Sequence, residues 1–104
     1  MRDPKTAIRN EFSAYYHGDE LPPAGTLEQS LEPRSRASAA RLRRAVGEAN
    51  LPALIQLLEN LRDQPEHPLH ADIAASSLIH WPDDPAMWTA FQHLIDRLVA
   101  ELRP

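Results

Sequence analysis

The 104-residue chain contains no cysteine, only three glycines and a single lysine, Lys5. Without cysteine it can form neither a disulfide nor a zinc site with thiolate ligands. It also lacks the glycine-rich loops that bind nucleotide phosphates and the serine motifs of hydrolases. No apolar run is long enough to span a bilayer, and the N-terminus has no apolar signal core. We therefore expect a cytoplasmic protein that does not contact a membrane.

Acidic residues outnumber basic ones, fifteen to eleven, which gives a net charge of −4. The imbalance lies in residues 51–104, which hold eight acidic and three basic residues, against seven and eight in residues 1–50. A negative net charge disfavours a dedicated nucleic-acid-binding protein, because such a protein must attract phosphate groups. We interpret the preference for arginine over lysine as the codon bias of a GC-rich, bacterial genome.

The most clearly specified helix covers residues 84–102. Asp84 can cap its N-terminus, and Pro85 fits its first turn. Apolar side chains then follow at helical spacing within an arc of about 140°. They are Met87, Trp88, Phe91, Leu94, Ile95, Leu98, Val99 and Leu102. Such an arc has to be buried, and we expect a two-fold homodimer to cover part of it.

Proline positions, capping residues and helical spacing predict further helices along the chain. The predicted segments are an N-terminal helix within 1–18, one or two turns after Thr26, and helices over 36–49, 51–63 and 69–79. Residues 19–25 contain two prolines and are predicted to be a linker. We expect Pro33 to end the short helix, Ser35 to cap the helix over 36–49 and Asn50 to cap the helix over 51–63. The short turn at Asn50 favours an antiparallel hairpin over 36–63. The small residues of 69–79 indicate that this helix is the central one.

No segment alternates between apolar and polar residues as a half-buried strand does. We predict an all-α fold for a single domain over residues 1–104, a compact bundle of four main helices plus one short helix. The hairpins over 36–63 and 69–102 have a residue pattern that partly resembles HEAT-like helical repeats. The second hairpin does not reproduce the first, so we assign no family.

The nearest arrangement to a metal site is His67 and His70 with Asp72. It lacks a third ligand at a suitable spacing, so we interpret the two histidines as loop and helix-capping residues. His93 is followed by Arg97 one turn later, but a phosphotransfer site needs more basic groups to hold the phosphate. We expect no metal site, no catalytic residue and no cofactor, and hence a protein that is not an enzyme.

Five arginines fall within eleven residues, at positions 34, 36, 41, 43 and 44. On the helix predicted for this segment, Arg36, Arg41, Arg43 and Arg44 lie opposite the apolar side chains, spread over about 160°. This side is either a solvated helix face or a binding surface. Guanidinium groups bind carboxylates in a bidentate manner, and they also bind nucleic-acid phosphates.

From these features we predict a non-enzymatic protein–protein interaction module. An adaptor, an accessory chaperone or an inhibitor of a bacterial system would each fit, with a partner that presents an acidic patch. The predicted contact residues are Arg36, Arg41, Arg43 and Arg44, together with Trp88 and Phe91 of the last helix. A small helical nucleic-acid-binding regulator is the second candidate. It is disfavoured because the leucine-rich helix 51–63 offers few polar groups for contacting bases.

Overall fold

The computed structural model describes residues 1–19, 21–22 and 24–103. Its helices are α1 (Pro4–Tyr15), α2 (Ala24–Leu31), α3 (Ser35–Val46), α4 (Leu51–Asp63), α5 (Pro68–Ser77) and α6 (Pro85–Leu102). Short 3₁₀ turns cover Glu32–Arg34, Glu48–Asn50 and Trp81–Asp83. None of the described residues forms a strand, which confirms the all-α class. No helix within the described ranges has both the length and the apolar character needed to cross a membrane.

The helix around which the others pack is α6. Helices α2, α3 and α4 and the 3₁₀ turn before α6 all lie against it. The predicted start is confirmed, because the Asp84 carboxylate accepts hydrogen bonds from the backbone N–H groups of Ala86 and Met87, at 2.9 and 3.1 Å. The buried side chains of α6 are Ala90, Phe91, Leu94, Ile95, Leu98, Val99 and Leu102.

The prediction that the 69–79 helix is central is wrong. This helix, α5, packs mainly against α1, and its outer residues Ala71 and Ala75 are exposed. Only one side of α5 is buried, through Leu69, His70, Ile73 and Ser77. Small side chains permit close helix packing, but they are equally suited to a solvated surface.

Helices α3 and α4 follow one another but contact each other little, since each packs along α6 instead. Helix α3 ends at Val46, earlier than predicted, because Gly47 takes a positive φ of 79°. Asn50 does not cap α4 as expected. Its side-chain amide donates to the carbonyl of Val46 at 3.2 Å, which satisfies one of the free carbonyls at the end of α3.

The segment between α1 and α3 is more helical than the sequence suggests. Helix α2 begins at Ala24, so the linker predicted over 19–25 is shorter; Glu20 and Pro23 of that linker lie outside the described residues. Pro33 does not end the helical path, because it lies in the 3₁₀ turn that leads directly into α3. Ser35 is the first residue of α3 rather than its cap, and its hydroxyl donates to the carbonyl of Glu32 at 2.9 Å.

Helix α1 is an integral part of the core. Ile8, Phe12 and Tyr16 are fully buried, and the Phe12 ring lies 5.6 Å from that of Phe91, centroid to centroid. Gly18 then passes close to the end of α5, where its N–H donates to the carbonyl of Ser77 at 2.7 Å. A β-carbon at Gly18 would lie only 3.2 Å from the Ile79 side chain, so close approach is the reason for glycine here.

Candidate interaction surface

Helix α3 is amphipathic as predicted. Ala39, Leu42 and Val46 are buried on its inner side, whereas Ala40 and Arg44 are exposed. We call the four predicted contact arginines of this helix the arginine face: Arg36, Arg41, Arg43 and Arg44. The structure gives these four side chains different environments, and the difference decides which of them a partner could reach.

Arg41 is held inside the chain. Its guanidinium Nη2 donates to Glu11 Oε2 at 2.7 Å, and the Glu11 side chain is only 5% exposed. The hydrogen bond with Glu11 raises the pKa of Arg41 above its usual value. The guanidinium carbon also lies 3.6 Å from the centroid of the Tyr15 ring, a cation–π contact. Arg41 therefore joins α3 to α1, and its predicted role as a contact residue is not supported by its geometry.

Arg43 is partly engaged as well. Its Nη2 donates to the carbonyl of Leu102 at 2.8 Å, and its Nη1 donates to Glu48 at 3.2 Å. The first bond satisfies a free carbonyl at the end of α6, where a positive charge also complements the helix dipole. Arg43 thus anchors α6 to α3 and retains little capacity for a partner.

Arg36 and Arg44 are the accessible members of the arginine face. The Arg36 side chain is 88% exposed, and its Nε lies 4.0 Å from Glu101 Oε1, at the limit of an ion pair. Exposed pairs of this kind contribute little to stability, so Arg36 is free to exchange partners. Arg44 is exposed and forms no hydrogen bond or ion pair with the rest of the described chain.

Two shallow grooves flank Arg44. One is bounded by Arg36, Arg43, Glu48 and Glu101, and the other by Arg2, Arg41 and Ala45. The Met1 side chain, which is 96% exposed, lies between them. The backbone N–H of Arg2 donates to the carbonyl of Ala45 at 2.9 Å, which places the N-terminal segment beside the end of α3.

The predicted aromatic contact residues of α6 are core residues. Phe91 is fully buried and so offers no accessible surface to a partner in this fold. Trp88 is partly buried and stacks on Phe91 at 5.5 Å with an interplanar angle of 13°. Helices α2, α3 and α4 pack along this apolar arc within one chain, and of its eight members only Met87 and Trp88 are partly exposed.

Three histidines make contacts within the fold. His67 accepts the backbone N–H of Leu69 at 3.1 Å and caps α5, as the sequence indicated. His70 is buried, with its Nε2 3.0 Å from the carbonyl of Leu61, and burial lowers its pKa. His93 contacts Glu28 across the α2–α6 packing. Within the described ranges, no three or more His, Cys, Asp or Glu residues form a group suited to a metal ion.

Sequence reasoning missed a buried polar network between α1 and α3. The Ser38 hydroxyl donates to Glu11 Oε2 at 2.7 Å and lies 2.5 Å from the Tyr16 hydroxyl. The sequence did contain a signal for the burial of Glu11. It follows Ile8 by three residues and therefore lies on the buried side of α1. Its charge made it look like a surface residue.

No protein-family model matches this chain, and neither a curated protein nor a solved structure matches it. Its function must therefore be inferred from the surfaces themselves.

Proposed function

We propose that this protein is a non-enzymatic interaction module that binds an acidic patch of a partner protein through Arg36 and Arg44. The observation that carries the proposal is that these two guanidinium groups are exposed on one side of α3. They are eight residues apart, which corresponds to roughly 12 Å along a helix. The small side chain of Ala40 lies between them and would allow close approach.

The charges around the arginine face favour a protein partner over a nucleic acid. Glu48 and Glu101 line the same groove as Arg36 and Arg43. Those carboxylates would repel a phosphate backbone, whereas a protein surface can place basic groups against them and acidic groups against the arginines. An adaptor, an accessory chaperone or an inhibitor in a bacterial cytoplasm would use such a surface in the same way.

One observation favours the second candidate, a small nucleic-acid-binding regulator. The groove on the other side of Arg44 is lined by Arg2 and Arg41 as well, and no carboxylate lines it. Arg2 and Arg44 could hold a phosphate there, whereas the charge of Arg41 is already paired with Glu11. The two candidates differ in salt dependence, because nucleic-acid binding weakens steeply as salt rises, with a log–log slope of about −0.9 per phosphate contacted on duplex DNA.

The test compares a labelled glutamate-rich peptide with a labelled DNA duplex. The double variant Arg36→Glu, Arg44→Glu should weaken binding of the acidic peptide at least tenfold while the melting temperature stays nearly unchanged. The control variant Lys5→Glu, Arg9→Glu makes the same charge change on α1 and should bind as the wild type does. Equal binding by wild type and the arginine-face variant would refute the proposal. Tight DNA binding with a steep salt slope would establish the second candidate instead.

A further inference from the structure

Leu78 has an unusual combination of backbone conformation and exposure. It follows α5 as the C-terminal cap with φ 66° and ψ 18°, in the left-handed region. Glycine or asparagine normally occupies this position, because a β-carbon is sterically unfavourable there. The Leu78 side chain gains no burial in exchange, since the residue is 64% exposed. A strained and exposed leucine is unfavourable for folding, and this suggests that it serves binding.

Leu78 lines a groove where the end of α1, the end of α5 and the start of α6 meet. We call this the acidic groove. Its apolar lining consists of Leu21, Pro22, Leu78, Ile79 and Met87. Its polar lining includes Asp19, His80, Asp83 and Asp84, and neither lysine nor arginine contributes. The groove thus combines an apolar floor with an acidic rim.

The carboxylates of the rim keep their negative charge accessible. The side chains of Asp19 and Asp83 are 80% and 78% exposed. Asp83 lies 2.8 Å from Nδ1 of His80, and Asp84 caps α6. These contacts use only part of each carboxylate, which has about four lone-pair sites. A cationic group brought to the rim would therefore find acceptor sites on these carboxylates.

We propose that the acidic groove binds a basic amphipathic segment of a partner protein. One apolar side chain of that segment contacts Leu78 and Met87, and flanking lysine or arginine residues pair with Asp19 and Asp83. Charge complementarity selects this occupant, because the exposed rim carboxylates attract lysine and arginine and repel an acidic segment. The proposal is independent of the arginine face, which has the opposite charge and lies on α3.

Three synthetic peptides of equal length test the proposal against the full chain. One alternates lysine with leucine, the second replaces lysine by glutamate, and the third replaces leucine by serine. In NMR titrations the lysine–leucine peptide should shift the backbone amide signals of Gly18, Asp19 and Leu21 and of the non-proline residues of 78–87. The other two should bind at least tenfold more weakly. Equal binding of the glutamate–leucine peptide, or shifts confined to other regions, would overturn the proposal.

Leu78→Asn separates binding from folding. Asparagine tolerates the left-handed conformation, so the melting temperature should rise or stay constant while affinity for the lysine–leucine peptide falls at least tenfold. Asp83→Asn should weaken binding of the lysine–leucine peptide severalfold. Glu66→Gln removes an exposed carboxylate elsewhere and should bind as wild type.

Two results would contradict the proposal at this site. Unchanged affinity in Leu78→Asn would show that the exposed leucine does not contact the peptide. Amide shifts of residues 78–87 that depend on protein concentration, without any peptide, would show that a second copy of the chain occupies the acidic groove.

Discussion

Glu11 of α1 carries a buried carboxylate whose partners come from α3. Its carboxylate accepts hydrogen bonds from Arg41 and Ser38 and is almost completely removed from solvent. A buried carboxylate is costly unless it is paired and hydrogen-bonded, because the interior solvates charge poorly. The Glu11–Arg41 pair therefore fixes the position of α1 on α3, and it connects the arginine face to the core.

Arg41→Ala should destabilise the fold strongly, because it leaves the Glu11 carboxylate without its charged partner. Loss of one member of a buried pair costs about 3–5 kcal/mol, and we expect the lower end since the Arg41 side chain is 34% exposed. Urea unfolding measures the change. Arg44→Ala is the matched control on the same helix and should stay within about 0.5 kcal/mol. If the two substitutions lower the free energy of unfolding equally, the Glu11–Arg41 pair does not stabilise the fold.

His70 should make stability depend on pH. Burial lowers its pKa in the folded protein, with smaller contributions from the neighbouring His80 and His67. The folded state therefore binds fewer protons than the unfolded state, whose histidine pKa is about 6.5. The contribution of His70 to the free energy of unfolding is fully present above that pH. It is lost as the pH falls below it, and the free energy of unfolding decreases by at most about 1.4 kcal/mol per pH unit.

Urea unfolding at pH values between 7.5 and 5 tests this, with His70→Gln as the comparison. A glutamine amide can still donate a hydrogen bond to the carbonyl of Leu61 but does not titrate. The variant should show a shallower loss of stability than wild type over this range. Parallel curves would mean that another group causes the pH dependence.

Among the helices, α6 was the most predictable from sequence. Asp84 and Pro85 fixed its start, and the helical spacing of large apolar residues identified its buried face. The end of α3 was missed although glycine is a common helix stop, because the helical spacing of Leu42 and Val46 continues to Ala49. The position of α5 was mistaken because alanine and serine carry little information about burial. Residue pairs from distant segments, such as Glu11 with Arg41, became visible only once the helices had been placed.

Leu98→Ala should destabilise the protein by about 2–5 kcal/mol, because Leu98 is fully buried where α6 contacts its neighbours. Chemical denaturation measures the loss. Ala100→Ser changes an exposed position on the same helix and should have little effect. A loss near zero for Leu98→Ala would indicate that this face of α6 is open in solution.

At the scale of the whole molecule, two surfaces of opposite charge stand out. The arginine face is formed by one helix, so its residues are close in sequence and the pattern was recognisable. The acidic groove combines Leu21, Leu78 and Met87 from three separate segments, and no local pattern links them. The accessible part of the arginine face is also smaller than its sequence suggests, because Arg41 and Arg43 bond to other parts of the chain.

The interface proposed for the homodimer is already buried within a single chain. The large apolar side chains of α6 from Phe91 to Leu102 are buried by α2, α3 and α4 of the same chain. A second copy could reach them only if the core opened, which would expose far more apolar surface than the contact would bury. We therefore expect sedimentation equilibrium to give a mass of 11.7 kDa that does not change with concentration. Thermal unfolding should be equally independent of concentration, because dimer dissociation would otherwise couple to it. If a dimer is found, Leu78→Asn tests the exposed leucine of the acidic groove as its contact, and a dimer that survives this substitution would refute that assignment.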